Sequence, residues 1–532
     1  MLARKANQDS LALAPDSQPE GHPSLRRGHR EPAQVGILRF APSIYHVAAI
    51  AVLAAIFVVA LLPRVETDFW WHLKVGAYIT AHHSVPSHDY LSYTFRGHPW
   101  TDHEWLAELM LFGLYNLAGL WGPIVLFAFI ICAAFAFVYW NMADRGLNRV
   151  LALFVLSAAF TASRGSWGPR IQMVSMFLLA VYAFVLYRFQ LTRDRRLLFV
   201  FPALMLLWTN LHGGFVLGLV IMAITLMGEG LNYLTKHDDA LLPADLRALA
   251  LALGGTLAVT VVNPNGVRQL LYPLTFILPN AYTNQIQESA SPNFHMLVMM
   301  VFEAMLLLLI ASAFVARPRF NWTNLFLVLA FTHLALSQVR NVPLWVVVVT
   351  PLLALYLQAM GPALQEQFPR FRYRRRPLKS RLVPVYNLVL LGLVAILYAL
   401  EAHTYITPNA LQKAQNDNFP TGAIAYMRTH SLPPHVFASY GWGGYLLWNL
   451  FPRYTDFMDS RADTLFDTRM LHAYLNAYSG TPGWDTVLRQ YQVQDVLVER
   501  DAPLAQLLAT KKTWHLVYHD SLSVLYTRQT SA

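Results

Sequence analysis

Long apolar runs recur along this chain between positions 41 and 402. A helix needs roughly 20 apolar residues to cross the hydrocarbon core of a bilayer. Charged residues make up only 13% of the 532 residues, whereas a soluble globular protein carries about 25%. These features exclude a soluble enzyme and a disordered chain, and they predict a polytopic helical membrane protein. The apolar segments lie at 41–63, 105–118, 121–140, 150–163, 171–187, 197–211, 212–232, 248–263, 298–315, 321–336, 341–359 and 384–402.

Basic clusters orient these segments, because Lys and Arg accumulate in cytoplasmic loops. The densest cluster is 370–381, which has seven basic residues and no acid. The other clusters are Arg26, Arg27 and Arg30; Arg145 and Arg149; Arg188, Arg193, Arg195 and Arg196; and Arg317 and Arg319. This bias also accounts for the net charge of +10, and no basic stretch interleaved with stacking aromatic residues indicates nucleic-acid binding.

The orientation that follows has a cytoplasmic N-terminus and an extracytoplasmic C-terminus, in a multi-pass protein of the bacterial inner or plasma membrane. The loops predicted to lie outside are 64–104, 163–170, 210–214, 264–297 and 337–343, together with the tail from 403. Segment 105–118 is short and polar in places, so we interpret it as an interfacial or re-entrant helix, which leaves about 11 crossings. The alternative is 12 crossings with some basic loops outside.

The predicted fold class is therefore an all-α polytopic membrane bundle with a soluble α/β domain at its C-terminal end. Residues 1–40 are polar and predict a disordered cytoplasmic tail, residues 41–402 form the transmembrane domain, and residues 403–532 form the extracytoplasmic domain. In that domain, 435–440, 455–459, 494–499 and 514–519 predict short strands, 464–479 and 501–510 predict helices, and 519–528 predicts a hairpin-like pair. We expect this domain to fold independently, and we expect Asp459 and Arg461 to pair locally.

The first outer loop, 64–104, contains the acids best placed for chemistry. Asp68 follows the first apolar segment, where partial desolvation raises the pKa of a carboxyl group and suits it to accept a proton. Asp102 and Glu104 project to the same side if their segment is extended. We predict these three acids as catalytic residues. The alternative for the loop is an aromatic belt at the membrane interface, because Trp70 and Trp71 follow Asp68.

A metal site is a second prediction for this loop, although no motif requires a cofactor. The oxygen ligands of Asp102 and Glu104 would favour Mg or Mn. His82, His83 and His88 are closely spaced but match no strict zinc-ligand pattern.

Several polar residues in the outer loops are predicted to bind substrate. Arg164, Arg170 and Arg340 stand outside against the charge bias, and guanidinium groups suit phosphate. The alternative for each arginine is snorkelling at a helix end. The remaining candidates are His72, His103, His212, Asn263 and Glu288, for which the alternative is a satisfied turn or cap.

A long outer loop that begins with an acid and ends in an acidic cluster resembles the GT-C superfamily of integral membrane glycosyltransferases. The likeness includes the odd crossing number, the short helix after the loop and the soluble C-terminal domain. The chain also resembles a set of bacterial membrane proteins that share the patterns DFWWHL, HEWLAE and WGGYL. The resemblance implies a polyprenyl-phosphate-linked sugar donor, with Asp68 as general base and with Asp102 and Glu104 as a second acidic site. Because the motif Glu66-Thr67-Asp68 departs from the usual pairing, Glu66 stays an alternative base.

The function predicted from these residues is transfer of a sugar, with inversion, from a polyprenyl phosphate to an extracytoplasmic glycan, lipid or protein. One carboxylate would deprotonate the acceptor, and cations would stabilise the phosphate leaving group. The alternatives are a polysaccharide polymerase or ligase that relies on Arg170 and Arg340, and a non-enzymatic transporter or assembly factor of the cell envelope.

Overall fold

The computed structural model describes residues 42–272, 282, 287–316, 320–367, 382–461 and 464–529. The predicted disordered tail 1–40, the basic cluster 370–381, and Arg317 and Arg319 lie outside the described residues. The orientation derived from those clusters therefore stays a prediction.

Each of the twelve apolar segments coincides with a helix. Because water is excluded from the hydrocarbon core of a bilayer, the peptide groups of such a segment must bond to one another. The helices up to the C-terminal region are α1 (Ile44–Ala60), α2 (Phe69–His82), α3 (Trp105–Ala118), α4 (Trp121–Asp144), α5 (Arg149–Ser163), α6 (Gln172–Thr192), α7 (Val200–Leu211), α8 (Val216–Leu234), α9 (Pro243–Val259), α10 (Val267–Leu271), α11 (Leu297–Ala316), α12 (Trp322–Ser337), α13 (Val342–Gln367) and α14 (Val383–Tyr405).

Six helices in the described part of the chain are long and apolar enough to cross a membrane. They are α4, α6, α8, α11, α13 and α14, whereas α1, α3 and α12 are apolar but shorter. The structure thus confirms a mostly helical, multi-pass membrane protein. The number of about 11 crossings stays a prediction.

The first outer loop contains a helix, α2, that the sequence analysis treated as loop. Buried residues lie on more than one face of α2, among them Phe69, Trp70, Leu73 and Val75. Because α2 has no continuous polar face, it lacks the apolar periodicity of 3.6 residues by which a surface helix is recognised.

Helix α2 packs closely on α3, and a glycine makes this contact possible. A side chain at Gly76 would overlap the Glu108 carbonyl oxygen and would lie 2.8 Å from Phe112 Cβ. His72, one turn earlier in α2, contacts Glu108. Since contacts advance along both helices in the same direction, α2 and α3 run parallel and begin at the same end.

The C-terminal region is a small α/β unit, as predicted. Its helices are α15 (Pro408–Asn418), α16 (Thr421–Thr429), α17 (Gly443–Leu450), α18 (Thr468–Ser479), α19 (Trp484–Gln490) and α20 (Pro503–Ala509). Its strands are β1 (His435–Ala438), β2 (Thr455–Asp456), β3 (Asp495–Glu499), β4 (Trp514–His519) and β5 (Ser523–Arg528). The order β2-β1-β3-β5-β4 is parallel from β2 to β3 and antiparallel from β3 to β4. The strand predictions and the final hairpin are confirmed.

The α/β unit and the first outer loop share a buried contact surface. The Trp70 ring of α2 meets the Tyr445 ring of α17 edge-on, with centroids 4.8 Å apart. Arg461, which follows β2, is fully buried and pairs with Asp89 of the loop at 2.6 Å as well as with Asp459. Asp459 and Arg461 therefore pair locally. In addition, the ion pair of Arg461 with Asp89 connects the α/β unit to the loop. Whether residues 403–532 fold independently stays a prediction.

Candidate active site

A cavity of about 590 Å³ lies where the first outer loop, the ends of several membrane helices and the α/β unit meet. Segments that the sequence analysis placed on one face of the membrane contribute its walls. Eight of the predicted site residues line this cavity, namely Asp68, His72, His103, Glu104, Arg170, His212, Glu288 and Arg340.

Asp68 stands immediately before α2, at the N-cap position. Its side chain makes no capping bond to the helix, so the carboxyl group is available to the cavity. Burial raises the pKa of Asp68 above its ordinary value, while the Ser460 hydroxyl and Arg170 oppose this rise. An acid in this setting is suited to accept a proton from a bound hydroxyl group.

Arg170 joins two acids on the same side of the cavity. Its guanidinium group donates two hydrogen bonds to Glu288, at 2.6 and 2.5 Å, and its Nε lies 3.9 Å from Glu66 Oε2. Burial alone would lower the pKa of Arg170, but these carboxylates reverse the shift and raise it. Arg170 is thus a permanent cation, held in the fork geometry that also suits a phosphate.

Glu66 is the alternative base, and it lies in the same region. Burial raises its pKa, and Arg170 opposes the rise. The structure therefore places both acids of the motif 66–68 beside one cation, and it leaves the choice between Asp68 and Glu66 open.

Glu104 stands at the N-cap position of α3 and makes no capping bond. Three imidazole rings surround its carboxyl group: His72 Nε2 lies 3.5 Å from Oε2, and His103 Nε2 and His212 Nε2 lie 3.6 and 3.4 Å from Oε1. Burial raises the pKa of Glu104 well above its ordinary value, and Asp102 and Asp68 add to this shift.

The rings around Glu104 are neutral. Burial lowers the pKa of His103 to about 4 and that of His212 to about 3. It also lowers the pKa of His72 well below its ordinary value. Glu104 therefore lies among hydrogen-bonding groups that carry no charge at neutral pH.

The protonation state of His212 follows from its contacts. The backbone N–H of Gly214 donates to His212 Nδ1 at 2.9 Å, so this nitrogen is an acceptor. Ser175 Oγ lies 2.7 Å from the same Nδ1 and accepts a hydrogen bond from Trp208 Nε1 at 2.8 Å. In the neutral ring the hydrogen must then be on Nε2, which faces Glu104.

Asp102 is fully buried and does not line the cavity. Its Oδ1 accepts a hydrogen bond from the Glu104 backbone N–H at 3.2 Å, and its side chain lies beside Glu108. Burial raises the pKa of Asp102 to about 6. Glu104 lines the cavity and Asp102 does not, although Asp102 lies near enough to raise the pKa of Glu104. Whether the two acids act together stays a prediction.

The metal prediction finds no support in this arrangement. Among the described residues, no group of three or more His, Cys, Asp or Glu is arranged to hold a metal ion. His212 is unsuited as a ligand through Nε2, because that nitrogen carries the hydrogen. Binding of Mg or Mn stays a prediction.

Arg164 and Asn263 lie away from the cavity. Arg164 is exposed. Asn263 stabilises the turn after α9, where its amide donates to the Thr260 carbonyl at 2.7 Å. It faces a separate shallow groove beside Trp105 and Asn210.

Sequence reasoning missed the residues that the α/β unit adds to the cavity, which are Tyr440, Ser460, Arg461 and Thr464. An arginine between acids in the segment 456–463 was a usable signal, because a cation there balances buried charge. Ser175 was also missed, since a lone serine in an apolar helix usually bonds to its own backbone.

No protein-family model and no curated protein sequence matches this chain. Solved structures do resemble it. ArnT from Cupriavidus metallidurans in the apo state superposes with a TM-score of 0.50 at 15% sequence identity, over 91% of this chain and 97% of ArnT. ArnT bound to undecaprenyl phosphate gives 0.47 at 14% identity, over 92% and 98% of the two chains. The oligosaccharyltransferase AglB from Archaeoglobus fulgidus, in complex with an inhibitory peptide and a dolichol-phosphate, gives 0.45 at 12% identity, over 85% and 69%.

The likeness to apo ArnT shows the fold. This chain therefore shares the fold of that protein.

Proposed function

We propose that this protein is a membrane glycosyltransferase that moves a sugar from a polyprenyl-phosphate donor to an extracytoplasmic acceptor, with inversion at the anomeric carbon. The observation that carries the proposal is one cavity, at the ends of membrane helices, whose lining combines carboxyl groups with arginines, among them Arg170 and Arg340. The GT-C fold supports the same proposed function.

Glycosyl transfer passes through a state with oxocarbenium character. Asp68 removes the proton from the acceptor hydroxyl group as its oxygen bonds to the anomeric carbon. The bond from that carbon to the phosphate oxygen breaks on the opposite face, and its electron pair leaves with the polyprenyl phosphate. The base and the cations thus act at opposite ends of one displacement.

The arginines of the cavity suit the phosphate. Arg340 is half-buried in the turn before α13, and its Nε donates to Gln338 at 2.9 Å. Glu288 is the partner of Arg170, and its side chain is 40% exposed. A phosphate can therefore replace the Glu288 carboxylate and accept the same two hydrogen bonds from Arg170. A phosphate bound between these residues would gain charge-assisted hydrogen bonds as its negative charge develops.

The test uses purified protein in nanodiscs with a panel of radiolabelled hexoses and pentoses linked to undecaprenyl phosphate. Release of undecaprenyl phosphate measures turnover with or without acceptor, and its binding is measured separately. We expect Asp68→Asn to reduce turnover by about 10²–10⁴-fold and to leave binding intact. We expect Arg340→Ala chiefly to weaken binding.

The matched control is Asp417→Asn, which changes an exposed acid on α15 and should leave both measurements unchanged. If Glu66→Gln rather than Asp68→Asn abolishes turnover, the base is Glu66 and the reaction class stands. If Asp68→Asn, Glu66→Gln and Asp102→Asn all turn over at the wild-type rate, the protein is not a glycosyltransferase of this kind.

A further inference from the structure

The acids that line the cavity have different partners. Glu66 and Glu288 lie beside the guanidinium group of Arg170. Within the part of the chain that the structure describes, the basic side chains within 4 Å of Glu104 are three histidines. Glu104 therefore has no fixed cation to hold it in the ionised form.

Two of these histidines lie against the same oxygen of Glu104. His212 turns its Nε2–H toward Glu104 Oε1, as the bond from Gly214 to its Nδ1 requires. His103 Nε2 lies 3.6 Å from the same oxygen. Because burial keeps the His103 ring neutral, this contact adds no positive charge that would hold Glu104 in the ionised form.

His72 links Glu104 to a second acid. Its Nδ1 lies 3.0 Å from Glu108 Oε1, and its Nε2 lies 3.5 Å from Glu104 Oε2. A neutral imidazole has one hydrogen for these two contacts, so one of the two carboxyl groups must supply the other. The shell of Glu104 is thus built for a carboxyl group that holds and releases a proton.

We propose that Glu104 is the general acid of the site, which enters the reaction protonated and gives its proton to the phosphate oxygen that leaves the anomeric carbon. This inference rests on the proposed function. Asp68 takes the proton of the acceptor hydroxyl, and Glu104 loses one proton to the departing phosphate. The products are the glycoside and a protonated polyprenyl phosphate. Exchange with water in the open cavity then removes the proton from Asp68 and restores the one on Glu104.

His212 is a positioning residue in this scheme. Ser175 and Gly214 hold its ring in one orientation, and a side chain at Gly214 would lie 2.5 Å from Ser175 Oγ. The ring keeps Glu104 Oε1 in place by donating from Nε2, and it does not itself transfer a proton.

The test is the pH profile of turnover with sugar-linked undecaprenyl phosphate. The groups that face Glu104 are His72 from α2, His103 before α3 and His212 after α7. The acids nearby are Asp68, Asp102 and Glu108. The pKa values of His103 and His212 lie at about 4 and about 3, so these rings stay neutral above that range. We expect a bell-shaped profile, whose rising limb is ionisation of Asp68 and whose falling limb is loss of the Glu104 proton.

Glu104→Gln should lower the maximum by about 10²–10⁴-fold and should abolish the falling limb, because glutamine does not titrate. Asp68→Asn should abolish the rising limb instead. Glu229→Gln is the matched control, since Glu229 is a buried acid at another site, bonded to Gln190 and Thr323. It should keep both limbs.

Binding of undecaprenyl phosphate to each variant shows that its site is folded. If Glu104→Gln does not bind undecaprenyl phosphate, Glu104→Asp is used in its place. The aspartate variant should then move the falling limb. A falling limb that persists unchanged in the Glu104 variant overturns the inference and leaves the proposed function intact. Wild-type protein that turns over none of the donors overturns the proposed function, and the inference with it.

Discussion

The acids in and around the cavity form two neighbouring regions that differ in the partner of the carboxyl group. In the guanidinium region, Arg461 pairs with Asp89 and Asp459, and Arg170 pairs with Glu288 and approaches Glu66. In the imidazole region, Glu104 lies among three neutral histidines, and Asp102 lies beside a neighbouring acid, Glu108.

The difference decides what each region can do. A guanidinium group stays charged at any physiological pH, so it favours the ionised form of an acid beside it. Burial alone would raise the pKa of Asp89, but Arg461 and Ser92 hold it below its ordinary value. A carboxyl group among neutral imidazoles can instead exchange a proton. The guanidinium region therefore contains permanent cations, whereas the imidazole region contains carboxyl groups that can exchange protons.

The largest effect is expected where fixed charge is removed. Arg461→Ala would leave Asp89 and Asp459 buried without their cation, because the Arg461 side chain is fully buried between them. Breaking a buried ion pair in this way costs about 3–5 kcal/mol. Thermal unfolding in detergent should show a large loss of stability.

The matched control for that change is Arg469→Ala. Arg469 pairs with Asp467 through a side chain that is 92% exposed, and such surface pairs contribute about 0–1 kcal/mol. Equal losses in the two variants would mean that the guanidinium region is not a distinct stabilising unit.

The second prediction concerns the pH dependence of the imidazole region. The pKa of Asp102 is raised to about 6 from an ordinary value of 3.8. The folded state therefore binds the Asp102 proton more tightly than the unfolded state. Stability from that proton is fully present below pH 3.8 and is lost as the pH rises through about 6. Relative to Asp102→Asn, the wild type should lose on the order of 3 kcal/mol between pH 4 and pH 7.

Asp467→Asn provides a comparison of opposite sign. Slight burial would raise the pKa of Asp467, but the backbone N–H of Met470 and the side chain of Arg469 lower it. Here the wild type should gain stability relative to the variant as the pH rises from below 3.8. If the difference in stability between wild type and variant changes with pH in the same direction for Asp102→Asn and Asp467→Asn, the two carboxyl environments do not shift the pKa in opposite directions.

The smallest effect is expected at the helix contact that assembles the imidazole region. Gly76→Ala would push α2 away from Glu108 and Phe112 of α3, and overpacking of this kind costs about 1–3 kcal/mol. Because His72 belongs to α2, turnover should fall with stability. Gly113→Ala, on α3 with no atom within 4 Å of the added methyl, should be neutral or stabilising by up to about 1 kcal/mol. A destabilised Gly113→Ala variant would show that the helix contact is not specific.

The sequence was most informative where local composition decides structure. Each predicted apolar segment became a helix, since a segment shielded from water must satisfy its peptide groups internally. The four predicted strands and the final hairpin were equally readable from short apolar runs between turn residues. Helix α2 was not, because burial on nearly all sides erased its periodicity.

By itself, the sequence determined the class of protein, the strands of the α/β unit and most of the residue types that the cavity uses. Tertiary structure decided which acids share the cavity and what stands beside each. Asp102 and Glu104 are two positions apart, yet only Glu104, which directly precedes α3, lines the cavity. His212 and Arg461 reach the loop from segments more than 100 residues away. The protonation of a carboxyl group depends on its burial and its nearest partners in space, and separation along the chain does not specify either.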